Sequence, residues 1–182
     1  MVENQRIRIT KKMLKDSLVR LLNEESIHQI SVRDICENAQ INRTTFYKYY
    51  GSQYDLLEDM ENDVVSQVDN YINADEIIDD NRPWLMKIIN FIDDNIDLCR
   101  ILLNNNVDPA FPEKLISLPT IRQVISQQLP ERYGEDELAY FVDFAINGGF
   151  SIIKRWINKE RRETPEEIAA LLNISIIRMF PA

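Results

Sequence analysis

Glycine is scarce in this 182-residue chain: there are four, alongside seven prolines. A fold of many short strands needs far more turn residues, so an all-β architecture is excluded. Cysteine and histidine are almost absent. Cys36, Cys99 and His28 are the whole supply, with no CxxC pair. A structural zinc site takes about four such ligands, so no metal and no cofactor is expected. The two thiols read as reduced and buried. Long apolar runs are missing as well. Nothing approaches the roughly 18 residues that span a bilayer, and no apolar stretch follows the basic start at Arg6 and Arg8. Neither a membrane segment nor a signal peptide is expected, which points to the cytoplasm. What remains is 45% apolar, enough for a true core.

The formal net charge of -9 argues at first against nucleic acid. Its distribution argues the other way. Residues 1–54 hold nine Lys/Arg and six Asp/Glu, a net of +3, while residues 55–182 hold twelve and twenty-four, a net of -12. Such asymmetry describes a small basic head on an acidic body.

Apolar residues recur at helical spacing throughout, and no strand pattern occurs. Ile9, Met13, Leu14, Leu18, Leu21 and Leu22 mark a first helix, capped by Thr10 and preceded by a loose basic arm. Ser31 and Asp34 cap a short second helix in which Cys36 is a small buried hydrophobe. Asn42 caps a third, closed by Gly51 in the left-handed conformation. Ser52 and Asp55 start a fourth, running to about Tyr71. Residues 73–82 read as a linker. One long helix is expected from Pro83 to about Leu102, another over about 119–129, and a third from Glu135 to about Lys159. Thr164, Pro165 and Glu167 open the last one. The fold class is all-α: an N-terminal three-helix head over 1–54 and a helical body over 55–182.

The densest chemistry lies in "INRTTFYKYY", residues 41–50, which crowds four aromatic rings and two cations before Gly51. Two short helices joined by a tight turn, the second one polar and basic, describe a helix-turn-helix whose second helix enters the major groove. Phe46 has no polar handle and suits burial against Ile35 and Leu18. Arg43 and Thr44 stand where such a helix meets base edges: Arg forks onto guanine O6 and N7, and a Thr methyl packs on thymine. Thr45 reaches either a base or a phosphate. Tyr47 and Lys48 carry donors suited to phosphate oxygens.

The run "SVRDICENAQINRTTFYKYYGSQYDLL", within residues 10–57, resembles the DNA-binding domain of the TetR/AcrR family of transcriptional regulators. The resemblance implies a homodimer that binds a palindromic operator and is released by a small molecule held in the C-terminal domain. It places Ser31 and Arg33 near the DNA backbone, Arg43, Thr44 and Thr45 on bases, and Tyr47 and Lys48 on phosphates. One departure stands out. The family often carries a phosphate-touching Lys just after the serine that opens the fourth helix, and here that residue is Gln53. One cation fewer weakens nonspecific affinity and its salt dependence. Arg6 and Arg8 on the arm are a possible compensation in the minor groove.

The stretch "NGGFSIIKRWINKERRETPEEIAALL" resembles the closing helices of a TetR-family branch common in low-GC Gram-positive bacteria, related to regulators of dihydroxyacetone-kinase genes. Its two helices carry broad apolar stripes that one hairpin cannot bury alone. Pairing with a second copy into a four-helix bundle solves this, with Leu138, Val142, Gly149, Ile153, Trp156, Ile168 and Leu172 as expected interface residues. Trp84, Phe91, Leu98, Phe141 and Phe144 are expected to line an effector pocket. The acidity of the body favours a neutral or cationic effector.

Catalysis is not expected, because no nucleophile–base pattern and no set of convergent groups stands out. The leading reading is a repressor. The alternative is a regulator-like co-activator that works through protein contacts, and Gln53 is its support.

Overall fold

The computed structural model describes residues 5–73, 83–104, 107–127, 129, 133–160 and 162–179. Every regular element among them is a helix: α1 Gln5–Leu22, α2 Val32–Ala39, α3 Arg43–Phe46, α4 Gln53–Asn73, α5 Pro83–Asp94, α6 Ile96–Leu103, α7 Phe111–Ile116, α8 Pro119–Ser126, α9 Glu135–Ile157 and α10 Pro165–Met179. The expected linker falls largely outside the described residues.

The head closes around Leu14 and Leu18 of α1, Ile35 of α2, Phe46 of α3 and Leu56 of α4, all fully buried. Two polar clasps join α1 to α2. The buried Ser17 hydroxyl donates to the Ile35 carbonyl at 2.9 Å, which satisfies a group that would otherwise be costly to bury. The Arg20 guanidinium donates twice to Asn38 Oδ1, at 2.9 and 2.8 Å.

Caps set the turn between α2 and α3. Ser31 and Asp34 form the reciprocal box read from sequence. α2 then ends on Gln40 in the left-handed region, φ 55° and ψ 38°, where the Ile41 amide donates to the Cys36 carbonyl at 2.9 Å. Asn42 Oδ1 accepts from the Thr44 amide at 2.8 Å and opens α3.

Four expectations are corrected. Thr10 does not cap α1. The helix already runs from Gln5, so the supposed arm over 5–9 is helical, and the Thr10 hydroxyl donates back to the Arg6 carbonyl. The third helix does not run on to Gly51: it ends at Phe46 and continues as turns to Tyr50. Gly51 is not left-handed. It is small for another reason: the Asp55 carboxylate folds over it to accept its amide at 2.9 Å, and a Cβ there would meet Asp55 Oδ2 at 2.9 Å. The long helix after Pro83 breaks at Asn95, whose ψ of 39° leaves the helical region while its side-chain amide donates to the Phe91 carbonyl at 2.9 Å.

α4 bridges the two ends of the chain, packing on α1 in the head and on α5, α7 and α8 in the body. Trp156 of α9 is 1% exposed, and its indole donates to the Glu163 carbonyl at 2.8 Å. Asp93 of α5 pairs with Arg162 at 2.5 Å. Thr164 and Glu167 cap α10 reciprocally, as the sequence pattern predicts.

Candidate functional site

The segment from Phe46 to Tyr50 divides its aromatic residues by role. Phe46 is the fully buried anchor. Tyr50 is buried, with its hydroxyl donating to Asp59 of α4 at 2.7 Å. Tyr47 turns outward, 58% exposed, with its ring edge-on to Phe46 at 5.6 Å. Arg43, Thr44 and Lys48 are exposed, and Thr45 and Tyr49 are half-buried. The outer surface of this segment therefore presents a guanidinium, hydroxyls and an ammonium above one apolar anchor. These groups match DNA base edges and phosphates in kind.

The flanking residues are more constrained. The Ser31 hydroxyl donates to Asp34 Oδ2 at 2.5 Å and accepts from the Asp34 amide at 3.2 Å. The Ser31 hydroxyl and the Ser31 amide, both donating to the Asp34 carboxylate, hold it below its usual range. Arg33 is exposed, but its Nε lies 2.6 Å from Glu37 Oε1 on the same helix face. Its charge is thus partly offset before any phosphate arrives. Gln53 opens α4 beside Asp55, whose carboxyl the Ser52 hydroxyl holds low through a 2.6 Å bond. Next to it, His28 Nδ1 and the Tyr54 hydroxyl are hydrogen-bonded at 2.8 Å.

Asp59 fastens this surface to α4. Burial alone would raise its pKa, but the bonds from Lys15 at 2.7 Å and from Tyr50 outweigh that and hold the carboxyl low. Lys15 also reaches Asp63 at 2.6 Å. The sequence gives little sign of these partners, because residues 15 and 59 sit on different helices.

In the body, an apolar cavity of about 140 Å³ lies among α4, α5, α6, α7, α8, α9 and α10. Trp84 and Phe91 line it. Leu98 does not. It borders a charged cleft between α1, α4 and the α5–α6 junction. Phe141 packs on Tyr133 with ring centres 4.5 Å apart, and Phe144 is 57% exposed. Cys99 faces the cavity, and burial pushes its thiol up to about 12, leaving it neutral and unreactive.

The expected interface residues divide in a similar way. Val142, Trp156, Ile168 and Leu172 are buried within their own chain. Gly149 and Ile153 face the cavity, and Leu138 is half-buried. Among the described residues, the outward large apolar side chains of α9 and α10 are Tyr140, Phe144, Leu171 and Ile174. Tyr140 and Phe144 are one turn apart, on the side opposite Val142 and Ile146, and that spacing was the available signal.

Comparison with known proteins agrees along most of the chain. Residues 16–60 match the family described as bacterial regulatory proteins, tetR family, and residues 79–178 match the transcriptional regulator C-terminal region. The dhaKLM operon transcriptional activator DhaS of Lactococcus lactis subsp. lactis (strain IL1403) is 33% identical over 94 residues, covering 48% of this chain and 45% of its own length. The uncharacterized HTH-type transcriptional regulator YxbF of Bacillus subtilis (strain 168) is 22% identical over 166 residues, covering 86% of this chain and 42% of its own length. The chain thus spans less than half the length of these curated relatives. Two solved structures share the fold over most of the chain. A TetR transcriptional regulator from Streptococcus agalactiae 2603V has a TM-score of 0.67 at 20% identity, with 94% of this chain and 96% of that one covered. The dihydroxyacetone kinase operon activator DhaS has 0.65 at 20% identity, with 96% and 99% covered. A head built as a helix-turn-helix, a helical body and matches to both halves lead to one conclusion: the chain belongs to the tetR family of bacterial regulatory proteins and is a transcriptional regulator.

Proposed function

We propose that this regulator is a repressor that binds a palindromic operator as a homodimer and leaves it when a small molecule occupies the C-terminal body. One observation carries the DNA reading: Arg43, Thr44, Tyr47 and Lys48 are all exposed around α3 while Phe46 beneath them is fully buried. Arg43, Thr44 and Thr45 read bases, and Tyr47 and Lys48 hold phosphates and so fix register. Ser31 and Arg33 support the backbone contact. On this reading residues 1–54 bind DNA, residues 55–182 assemble and regulate, and the protein acts in the cytoplasm. No described helix is long and apolar enough to cross a membrane.

The dimer reading rests on the outward apolar residues of α9 and α10. Tyr140, Phe144, Leu171 and Ile174 suit a two-fold four-helix bundle in which each patch covers its own copy. Two recognition helices on such a dimer meet half-sites about one helical turn, or a multiple of it, apart. Selecting bound duplexes from random DNA tests the reading. A palindromic consensus is expected.

A second reading, a co-activator that works through protein contacts, is favoured by Gln53 and by the Arg33–Glu37 pair, which together leave the DNA face less cationic. Failure to retain any duplex from the random pool would select it.

A further inference from the structure

The cavity in the body is notable for what its walls lack. Among the described residues that line it, none carries a charge, an amide or a hydroxyl. Among the lining side chains the heteroatoms are those of the Trp84 indole and of the Cys99 thiol, which burial keeps protonated. Ile88, Leu102, Phe111, Ile125 and Phe150 supply the rest of the character. An apolar cavity of about 150 Å³ stays dry and accepts benzene or xenon. This one is about 140 Å³.

We infer that the cavity is the site of a small, uncharged, apolar effector, about the size of a single aromatic ring, and that its walls reject organic ions and polyols. The inference rests on the proposed regulatory role of the body and names the ligand class for it. An ion would lose its hydration without gaining a counter-charge. A polyol would lose roughly tenfold to a hundredfold in affinity for each hydroxyl left unpaired. The acidity of the chain suggested a neutral or cationic effector, and the cavity walls select the neutral one. The charged cleft bordered by Arg8, Lys15, Asp59, Asp63 and Asp94 is a poor alternative. There Lys15 is already engaged by both Asp59 and Asp63, so a charged guest must first break those pairs.

The same walls show how occupancy reaches the head. Val64 and Val68 of α4 form one side, and α4 starts at Gln53, directly after the recognition segment. Phe111 and Leu115 of α7 also line the cavity. A guest that parts α7 from α4 moves the helix on which the head is mounted. It acts only insofar as it binds the two arrangements with different affinity.

The full-length protein is titrated with toluene, benzoate and glycerol, following tryptophan emission and thermal unfolding. Toluene is expected to bind saturably, one per chain, raising the unfolding temperature and shifting the emission of Trp84. Benzoate and glycerol are expected to bind at least 100-fold more weakly. Replacing Trp84→Phe should remove the emission change and keep the thermal one. Ala145→Leu, which fills the cavity, should weaken toluene at least tenfold. If that variant misfolds, the Trp84→Phe comparison still locates the guest. The inference is overturned by absence of saturable toluene binding, by benzoate or glycerol binding as tightly as toluene, or by an emission change that survives Trp84→Phe. Duplex retention is measured on the same protein without toluene. Retention with no toluene binding removes the ligand class alone, and toluene binding without retention removes the DNA reading alone.

Discussion

Lys114 of α7 donates to Oε2 of Glu61 on α4 at 2.7 Å, and the Glu61 side chain is only 3% exposed. Asp108 accepts from the same ammonium at 3.3 Å. Burial pushes the Glu61 carboxyl up, and the Lys114 ammonium opposes that rise. The bond to Glu61 in turn raises the Lys114 pKa. A buried carboxylate on the bridging helix is therefore paired with a single cation from α7.

Lys114→Met should leave that carboxylate buried and alone. Breaking a fully buried pair is severe, but Lys114 is half exposed to water, so the expected loss is about 1–2 kcal/mol. The sign with pH follows from the raised carboxyl. A raised carboxyl contributes stability below its unfolded pKa, about 4.3, and loses it as pH rises through the folded value. The variant should therefore nearly match wild type in acid and fall behind it as pH increases. Glu61→Leu combined with Lys114→Met should recover most of the loss. Urea unfolding at several pH values reads all three.

Asp59 titrates with the opposite sign. Its carboxyl is held low, so its contribution is complete above the unfolded value of about 3.9 and is lost as pH falls through the lower folded value. Because it joins Lys15, Tyr50 and α4, the head should loosen in acid before the body does. Asp59→Asn should flatten the acid limb of the head's stability curve and leave stability at pH 7 reduced. Circular dichroism and amide exchange across pH 2–7 provide the comparison.

The proposed DNA contacts separate by salt and by sequence. Arg43→Ala should lose discrimination at one base pair, costing roughly 1–3 kcal/mol there. Lys48→Ala should weaken all duplexes alike and lower the salt slope by roughly 1. Arg33→Ala should change the slope less, because Glu37 already offsets that charge. Gln53→Lys should raise affinity generally and steepen the slope by roughly 1. Binding isotherms at four salt concentrations distinguish these outcomes. Identical behaviour of the Arg43 and Lys48 variants would refute the division of roles.

Much of this architecture was legible because it is local. Ser31 with Asp34, and Thr164 with Glu167, are three residues apart, and that spacing alone lets each side chain reach the other's backbone. Phe46 was readable as core because nothing else on α3 is wholly apolar. The illegible parts depend on partners distant in sequence or on a choice between two sides of one helix. Gln40, not Gly51, takes the left-handed cap, since Gly51 is reserved for the close approach of Asp55. Asn95 interrupts an apolar run through its own side chain, at a position where periodicity still reads helix. Glu61 looks like one more surface acid until Lys114 is folded against it.

The stripes on α9 and α10 show the same limit and set the last prediction. Periodicity finds apolar residues on both helices but not which of them meet their own chain. Trp156, Ile168 and Leu172 are buried inside the protomer, so a charge at any of them attacks the core. Trp156→Glu should unfold the body, because it removes a large packed ring and buries a carboxylate without a partner. Phe144 and Leu171 face outward. On the proposed dimer, Phe144→Glu and Leu171→Glu leave each chain folded and place like charges across the two-fold axis. Sedimentation at low micromolar concentration should then show wild type as a dimer and both outward variants as folded monomers of 21.4 kDa. Those monomers should lose most affinity for a palindromic duplex and keep weak binding to a half-site, because the second recognition helix no longer comes with the first. A wild-type protein that sediments as a monomer, or outward variants that remain dimeric, would move the interface away from this face and leave the palindrome without a structural basis.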